Sequence, residues 1–277
     1  MQAPDPVAAL EAKDFLRGPV IVTGAPRTGV RLLAAILDGH PTLASGPDLP
    51  VIATLVQQWH EIRSNLSEHH ERNHRVAPDY SRAAFRDAAL KLFVPRLEST
   101  GKQRFVLQSF TAVTLLNQFA SLFREARFIL TVRDPRAIVR SLLQCDWRDV
   151  RTGEALAYTS DPVAAAHFTA HQLGLALHAA QALQVEGRLM PLPYERLCAD
   201  PAGAMARIGA FLKESDPQPF VSPVSAELVT RSPDNPHPPL RCGAVDTASL
   251  RTRNPGPMTA AIEQLRWSLG YREHGRR

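Results

Sequence analysis

Val20, Ile21 and Val22 form an unbroken β-branched run, and Leu32, Leu33, Ile36 and Leu37 then recur at the spacing of one helical face. The pattern predicts a buried strand, a turn over Gly24–Gly29, and a helix ended by His40-Pro41, because the residue before proline disfavours the α region. The stretch Thr42–Pro50, TLASGPDLP, reads as a loop leading into an amphipathic helix from Val51 to Ile62. Residues 61–80 are polar and irregular in pattern, and Ser81–Leu97 carries a helical stripe. A second strand is predicted at Phe105–Leu107, a helix with Leu115, Leu116, Phe119 and Leu122 on one side, and a third strand at Phe128–Val132. Helices follow around Arg136–Ser141 and over 161–185, then a strand at Leu189–Pro193, a helix with Ile208, Phe211 and Leu212, and a closing helix from Met258 to Leu269. Strands alternating with helices in this way predict an α/β protein with a central parallel β-sheet flanked by helices. No internal repeat is visible.

Two strand exits carry chemistry. Glycines in the turn after the first strand let backbone N–H groups approach an anion, and the next helix directs its positive end at the same point. Gly24 and Gly29 have the outer spacing of the nucleoside triphosphate loop GxxxxGK[ST], but Val30 stands at the lysine position and Arg31 at the Mg²⁺-binding hydroxyl position. That argues against triphosphate chemistry, and the cation lies inside the turn instead, as Arg27. The third strand runs directly into Arg133-Asp134-Pro135, with Ser141 about two helical turns further on. Ligands of open parallel sheets sit outside the carboxyl ends of the strands, so Arg133 is placed to reach one.

Composition narrows the classes. The chain has 277 residues, 44% hydrophobic and 21% charged, which is globular rather than fibrous or disordered. A net charge of +5 suits anionic ligands, but the basic residues are dispersed and only 6% of residues are aromatic, so a nucleic-acid partner has no support. Cys145, Cys198 and Cys242 share no CxxC spacing. His60, His69, His70 and His74, and later His167, His171 and His178, lie in no HExxH arrangement, so no metal is expected. No apolar run approaches a membrane span, and the N-terminal stretch carries Asp5, Glu11 and Asp14 where a signal peptide is basic and apolar, which predicts a cytoplasmic protein with no membrane partner.

The segments GAPRTGVR, RDPRAIVRS and YERLCADP, with the closing LGY, resemble the sulfotransferases that use 3′-phosphoadenosine 5′-phosphosulfate (PAPS). The run from Pro26 to Trp59 looks most like the protein-tyrosine sulfotransferases. The resemblance implies a P-loop-like single domain over 19–277, preceded by a lead-in at 1–18, with the proline-rich segment 213–257 folding over the donor site. It implies PAPS as donor and no metal. Pro26, Arg27, Thr28, Gly29, Val30 and Arg31 would hold the 5′-phosphosulfate, Arg133 and Ser141 the 3′-phosphate, and Tyr194 would lie near the adenine. Ser232 and Arg241 are placed roughly on the donor from the tail.

Aligned without gaps on that family's loop, Gly46 matches a glycine and Asp48 a catalytic glutamate, so Asp48 is the implied base and Arg27 the implied stabiliser of charge on the leaving side. Val30 and Arg31 replace two hydroxyl residues, and Gln108 stands where many members carry a lysine. A tyrosine-bearing peptide or protein is the first expected acceptor. A small hydroxylated molecule, a non-catalytic nucleotide-binding role and a homodimer remain open.

Overall fold

The computed structural model describes residues 18–214 and 259–271. The β-branched run becomes β1 (Val20–Thr23), whose residues are fully buried on both faces. The strands that follow are β2 (Leu43–Ser45), β3 (Arg104–Gln108), β4 (Arg127–Val132) and β5 (Leu189–Pro193). They form one five-stranded sheet in the order β2-β3-β1-β4-β5, and every pairing is parallel. The central strand is therefore the first in sequence. Its two neighbours, β3 and β4, come from later in the chain, so the strand order reverses at the exit of β1 and opens a crevice there.

Alternate residues of the strands serve opposite layers. Val20, Val22, Val106, Ile129 and Leu192 pack under α1 (Val30–Asp38), which contributes Val30, Leu33 and Leu37 to the same cluster. Ile21, Phe105, Leu107, Phe128 and Leu130 face the other way, against α2 (Pro50–Glu61), α4 (Pro78–Lys91) and α6 (Leu116–Leu122). Between these helices lie a π-helical turn (Ile62–Leu66), α3 (Ser67–His74) and α5 (Val94–Thr100). The Phe93 and Phe105 rings stack at 4.0 Å in that second layer. Burial of both faces explains why the strands read as continuous apolar runs.

The chain goes on through α7 (Pro135–Leu142), α8 (Ala157–Ser160), α9 (Pro162–Val185), α10 (Tyr194–Ala199) and α11 (Pro201–Leu212), and α12 (Thr259–Ser268). Three of these starts share one device. Asp134, Asp161 and Asp200 each accept a backbone N–H at 2.9 Å at the head of α7, α9 and α11, and each is followed by proline. The carboxylate satisfies an otherwise open donor, and the proline fixes φ where no N–H is needed.

Two expectations are corrected and one is sharpened. TLASGPDLP is not wholly a loop, since Leu43–Ser45 pairs with β3 as an edge strand. Residues 61–80, polar and without a regular apolar pattern, are mostly helical. Their helix is exposed, has no apolar stripe, and is supported by i,i+4 pairs, Asn65 to Glu61 at 2.7 Å and Arg72 to Glu68 at 2.8 Å. The covering helix of 81–97 is two helices, broken before Pro95, which is tolerated only in the first turn of α5. The lead-in at 1–17 and the tail residues Ser232 and Arg241 lie outside the described residues.

Candidate donor and acceptor site

The turn after β1 is shaped by contacts that leave no room for side chains. A Cβ on Gly24 would stand 2.3 Å from Thr131 Oγ1 and 2.5 Å from Thr28 Oγ1. Those two hydroxyls share a hydrogen bond at 2.7 Å, and Thr28 Oγ1 also donates to the Ala25 carbonyl at 2.6 Å. Thr28 is thus turned inward, bracing the turn against β4, and Val30 is buried in the core. Their side chains face away from the crevice. The Thr28 backbone N–H already donates to the Ala25 carbonyl at 3.2 Å, so of these two positions it is the backbone of Val30, at the head of α1, that can offer a ligand a donor.

Arg27 adopts a positive φ of 74°, a left-handed conformation that an arginine adopts at some cost. That conformation sends its side chain to α7, where Nε donates to Ser141 Oγ at 2.8 Å. Arg133, at the exit of β4, donates from Nη1 to the Arg27 carbonyl at 2.9 Å. Its guanidinium lies 4.4 Å over the ring of Tyr194, a cation–π contact. Gly29, with φ 98°, completes the group, because a Cβ there would meet Tyr194 Cδ2 at 2.6 Å. Residues from three other segments therefore converge on one turn.

Charge in this group is unbalanced. Arg31 sits in the first turn of α1, where the helix dipole already disfavours a cation. Burial, and then the positive charge of Arg27, hold its pKa below the ordinary arginine value. Among the described residues, Arg27, Arg31 and Arg133 form no ion pair with a carboxylate, and the buried Arg133 Nε has no hydrogen-bond partner. The neighbouring positions differ. Asp134 is paired with Arg266 of α12, Nε to Oδ1 at 3.1 Å, and its backbone N–H donates to Glu195 at 3.0 Å. Tyr271 donates to the other oxygen of Glu195 at 2.6 Å, and burial, reinforced by the Glu195 charge, raises its pKa strongly. Carboxylates here are occupied in holding α12 against α7 and α10, which leaves the three arginines for an anion.

On the other flank of β1, Asp48 follows the exit of β2. Burial raises the pKa of its carboxyl, opposed by the Leu49 and Phe110 backbone and the Ser109 hydroxyl. Oδ1 is shielded from solvent and has no hydrogen-bond partner. A carboxylate kept in this way favours taking up a proton, the property a general base requires. Gln108, at the end of β3, donates from Nε2 to the Gly46 carbonyl at 2.7 Å, and its Oε1 is buried without a partner.

Comparisons with known proteins give the family and the fold. A family model described as the sulfotransferase family matches residues 19–218. This chain belongs to the sulfotransferase family. It is 28% identical over 201 residues to protein-tyrosine sulfotransferase 1 of Danio rerio, a match covering 70% of the chain and 52% of that relative. Against the Homo sapiens protein of the same name it is 30% identical over 131 residues, covering 45% of the chain and 33% of the relative. The chain thus spans about half, or less, of the length of these curated relatives. Among solved structures, the sulfotransferase domain of the Synechococcus PCC 7002 olefin synthase superposes with a TM-score of 0.61 at 20% identity, covering 92% of this chain and 94% of that one. The sulfotransferase domain from the curacin biosynthetic pathway gives 0.60 at 18% identity, covering 92% and 98%. Both carry the P-loop-like sulfotransferase fold found here.

The structure brings Arg27, Gly29, Arg31, Arg133, Ser141 and Tyr194, all expected on the donor, to one side of β1, and Asp48, the expected base, to the other. Ser141, expected with Arg133 on the 3′-phosphate, hydrogen-bonds Arg27. The Gln108–Gly46 link and the bracing by Thr131 were missed, and neither has a local sequence signal. Glu195 had one, since an acidic residue directly after a strand exit stands where helix N-termini gather. No helix among the described residues is long and apolar enough to cross a membrane.

Proposed function

We propose that this chain transfers the sulfuryl group of PAPS to an acceptor hydroxyl, with a tyrosine-bearing peptide as the first acceptor to test. The observation that carries the reading is the group Arg27, Arg31 and Arg133, three guanidiniums around a glycine turn with no carboxylate partner among the described residues. Such a group fits a donor with anionic groups at two ends. The turn's N–H groups, Arg27 and Arg31 would hold the 5′ end, Arg133 and Ser141 the 3′-phosphate, and Tyr194 the base.

The chain's own residues then divide the chemistry. Asp48 takes the proton from the acceptor oxygen as that oxygen attacks. Arg27 and the N–H groups of the turn stabilise negative charge gathering on the leaving side, a role worth about 10²-fold to 10³-fold per donor in comparable sites. Arg133 and Ser141 fix the donor so that the attack is in line. The similarity to protein-tyrosine sulfotransferases supports the tyrosine acceptor, and the positive net charge suits tyrosines set among acidic residues.

The test is calorimetric titration of the full chain with 3′-phosphoadenosine 5′-phosphate (PAP), beside ATP with Mg²⁺. Selective binding of PAP is expected, followed by PAPS-dependent sulfation of an acidic tyrosine peptide. Equal binding of ATP, or no binding of PAP, overturns the donor assignment. Turnover with 4-nitrophenol alone would replace the peptide acceptor by a small hydroxylated one.

A further inference from the structure

Asp48 stands three residues beyond the short edge strand β2, and a base in such a place needs something to fix it. The segment has few ties of its own. Gly46 has open space where a side chain would be, and Pro47 has no N–H to contribute. Arg96 of α5 holds the Ser45 carbonyl just ahead of it at 2.7 Å, and what crosses to residues 46–48 themselves comes from the exit of β3. Gln108 Nε2 donates to the Gly46 carbonyl at 2.7 Å, while the next two residues, Ser109 and Phe110, supply the hydroxyl and backbone groups facing the Asp48 carboxyl.

That exit is itself rigid. Gln108 lies in register with Val22 of β1, the Ser109 N–H donates to the Val22 carbonyl at 3.0 Å, and Thr23 Oγ1 donates to the Ser109 carbonyl at 2.7 Å. Because a carbonyl can only accept, the Gly46 contact also decides which end of the Gln108 amide is nitrogen and leaves Oε1 as the unpartnered atom. We propose that Gln108 is a positioning residue for Asp48, clamping the Gly46 carbonyl so that the carboxyl is held against the exit of β3. This rests on the reading of Asp48 as the base. Through this clamp the central strand that carries the donor turn also sets the place of the acceptor's base.

The test compares the full chain with Gln108→Met, which keeps length and loses the hydrogen bond. One arm needs no acceptor. With carbon-13-labelled aspartate and Asp48→Asn to assign the signal, the Asp48 carboxyl of Gln108→Met should titrate lower than in the parent, by about one pH unit, as the released segment admits water. PAP affinity should stay within about twofold, since Gln108 touches none of the donor-side arginines.

The second arm is kinetic, with PAPS and an acidic tyrosine peptide or 4-nitrophenol as probe. Gln108→Met should lower kcat by about 10-fold to 10²-fold with little change in KM for PAPS, the size expected of a misplacement on the order of 1 Å. On an Asp48→Asn background the same substitution should cost little more, because the effect passes through Asp48. An unchanged Asp48 titration, or a loss repeated in full on the Asp48→Asn background, overturns the proposal. Failure of PAP to bind the parent instead removes the donor assignment, and the titration arm still decides the clamp.

Discussion

Arg27 Nε donates to Ser141 Oγ at 2.8 Å across 114 residues of sequence, joining the turn after β1 to the last turns of α7. The bond aims a cation whose backbone is held in a conformation unfavourable to it. Ser141→Ala should therefore release the Arg27 side chain and weaken PAP by about 10-fold, the scale of one hydrogen bond to a charged group. Arg133→Ala removes a guanidinium outright and should cost on the order of 10²-fold. Calorimetric titration of both variants checks the order, and Ser141→Ala weaker than Arg133→Ala would reverse the roles assigned.

Gly29 meets two demands at once, a φ of 98° and the face of Tyr194. Gly29→Ala should lower stability by roughly 1–3 kcal/mol through strain at that φ and displace the Tyr194 ring. Adding Tyr194→Ala should recover only the steric part. Thermal unfolding of the single and double variants separates the two contributions.

Asp48 sets activity against stability. Because its folded pKa is raised by burial, its contribution to stability is present below the unfolded value of about 3.9 and is lost as pH rises through the folded value. At pH 7 the charged carboxylate therefore weakens the fold. Asp48→Asn should unfold at a higher temperature than the parent at pH 7, with the gain vanishing below about pH 4, while turnover falls about 10²-fold or more. A lower Tm at pH 7 would show the carboxylate to be stabilised where it stands.

Arg104 and Glu214 form an ion pair at 2.9 Å with side chains 5% and 4% exposed. Arg104 also donates to the Gly18 and Leu212 carbonyls, so it joins the start of β1 to the end of α11. Glu214→Ala removes the carboxylate from this buried pair and should destabilise by about 3–5 kcal/mol. Chemical denaturation measures this, and PAP affinity in the folded fraction should be unaffected.

β1, β3 and β4 were legible because burial on both faces demands runs such as Val20–Val22 and Phe128–Val132, and β5 because Leu189–Pro193 is a short apolar run ahead of a helix. β2 was not, since three residues at a sheet edge give periodicity nothing to repeat. The helix from Ser67 to His74 was hidden for the opposite reason, having no buried face to mark it. In the site, Arg27 and Arg133 were legible as cations at strand exits, where parallel sheets gather ligands, and Tyr194 through the resemblance of its YERLCADP segment. Their partners were not. Whether Ser141 meets Arg27 or Arg133 depends on how α7 leans over the turn, and Gln108 binds a backbone carbonyl, which any residue at position 46 would have supplied.

The surplus positive charge at the head of α1 reaches beyond the reaction itself. Inorganic sulfate and phosphate resemble the ends of the nucleotide, so a buffer containing either competes for the same guanidiniums. At 100 times its own Kd such an ion would raise apparent stability by about 2.7 kcal/mol and depress nucleotide affinity by a factor of about 100. Protein purified through ammonium sulfate and assayed in phosphate would then look robust and inert, although nothing in the chain had changed.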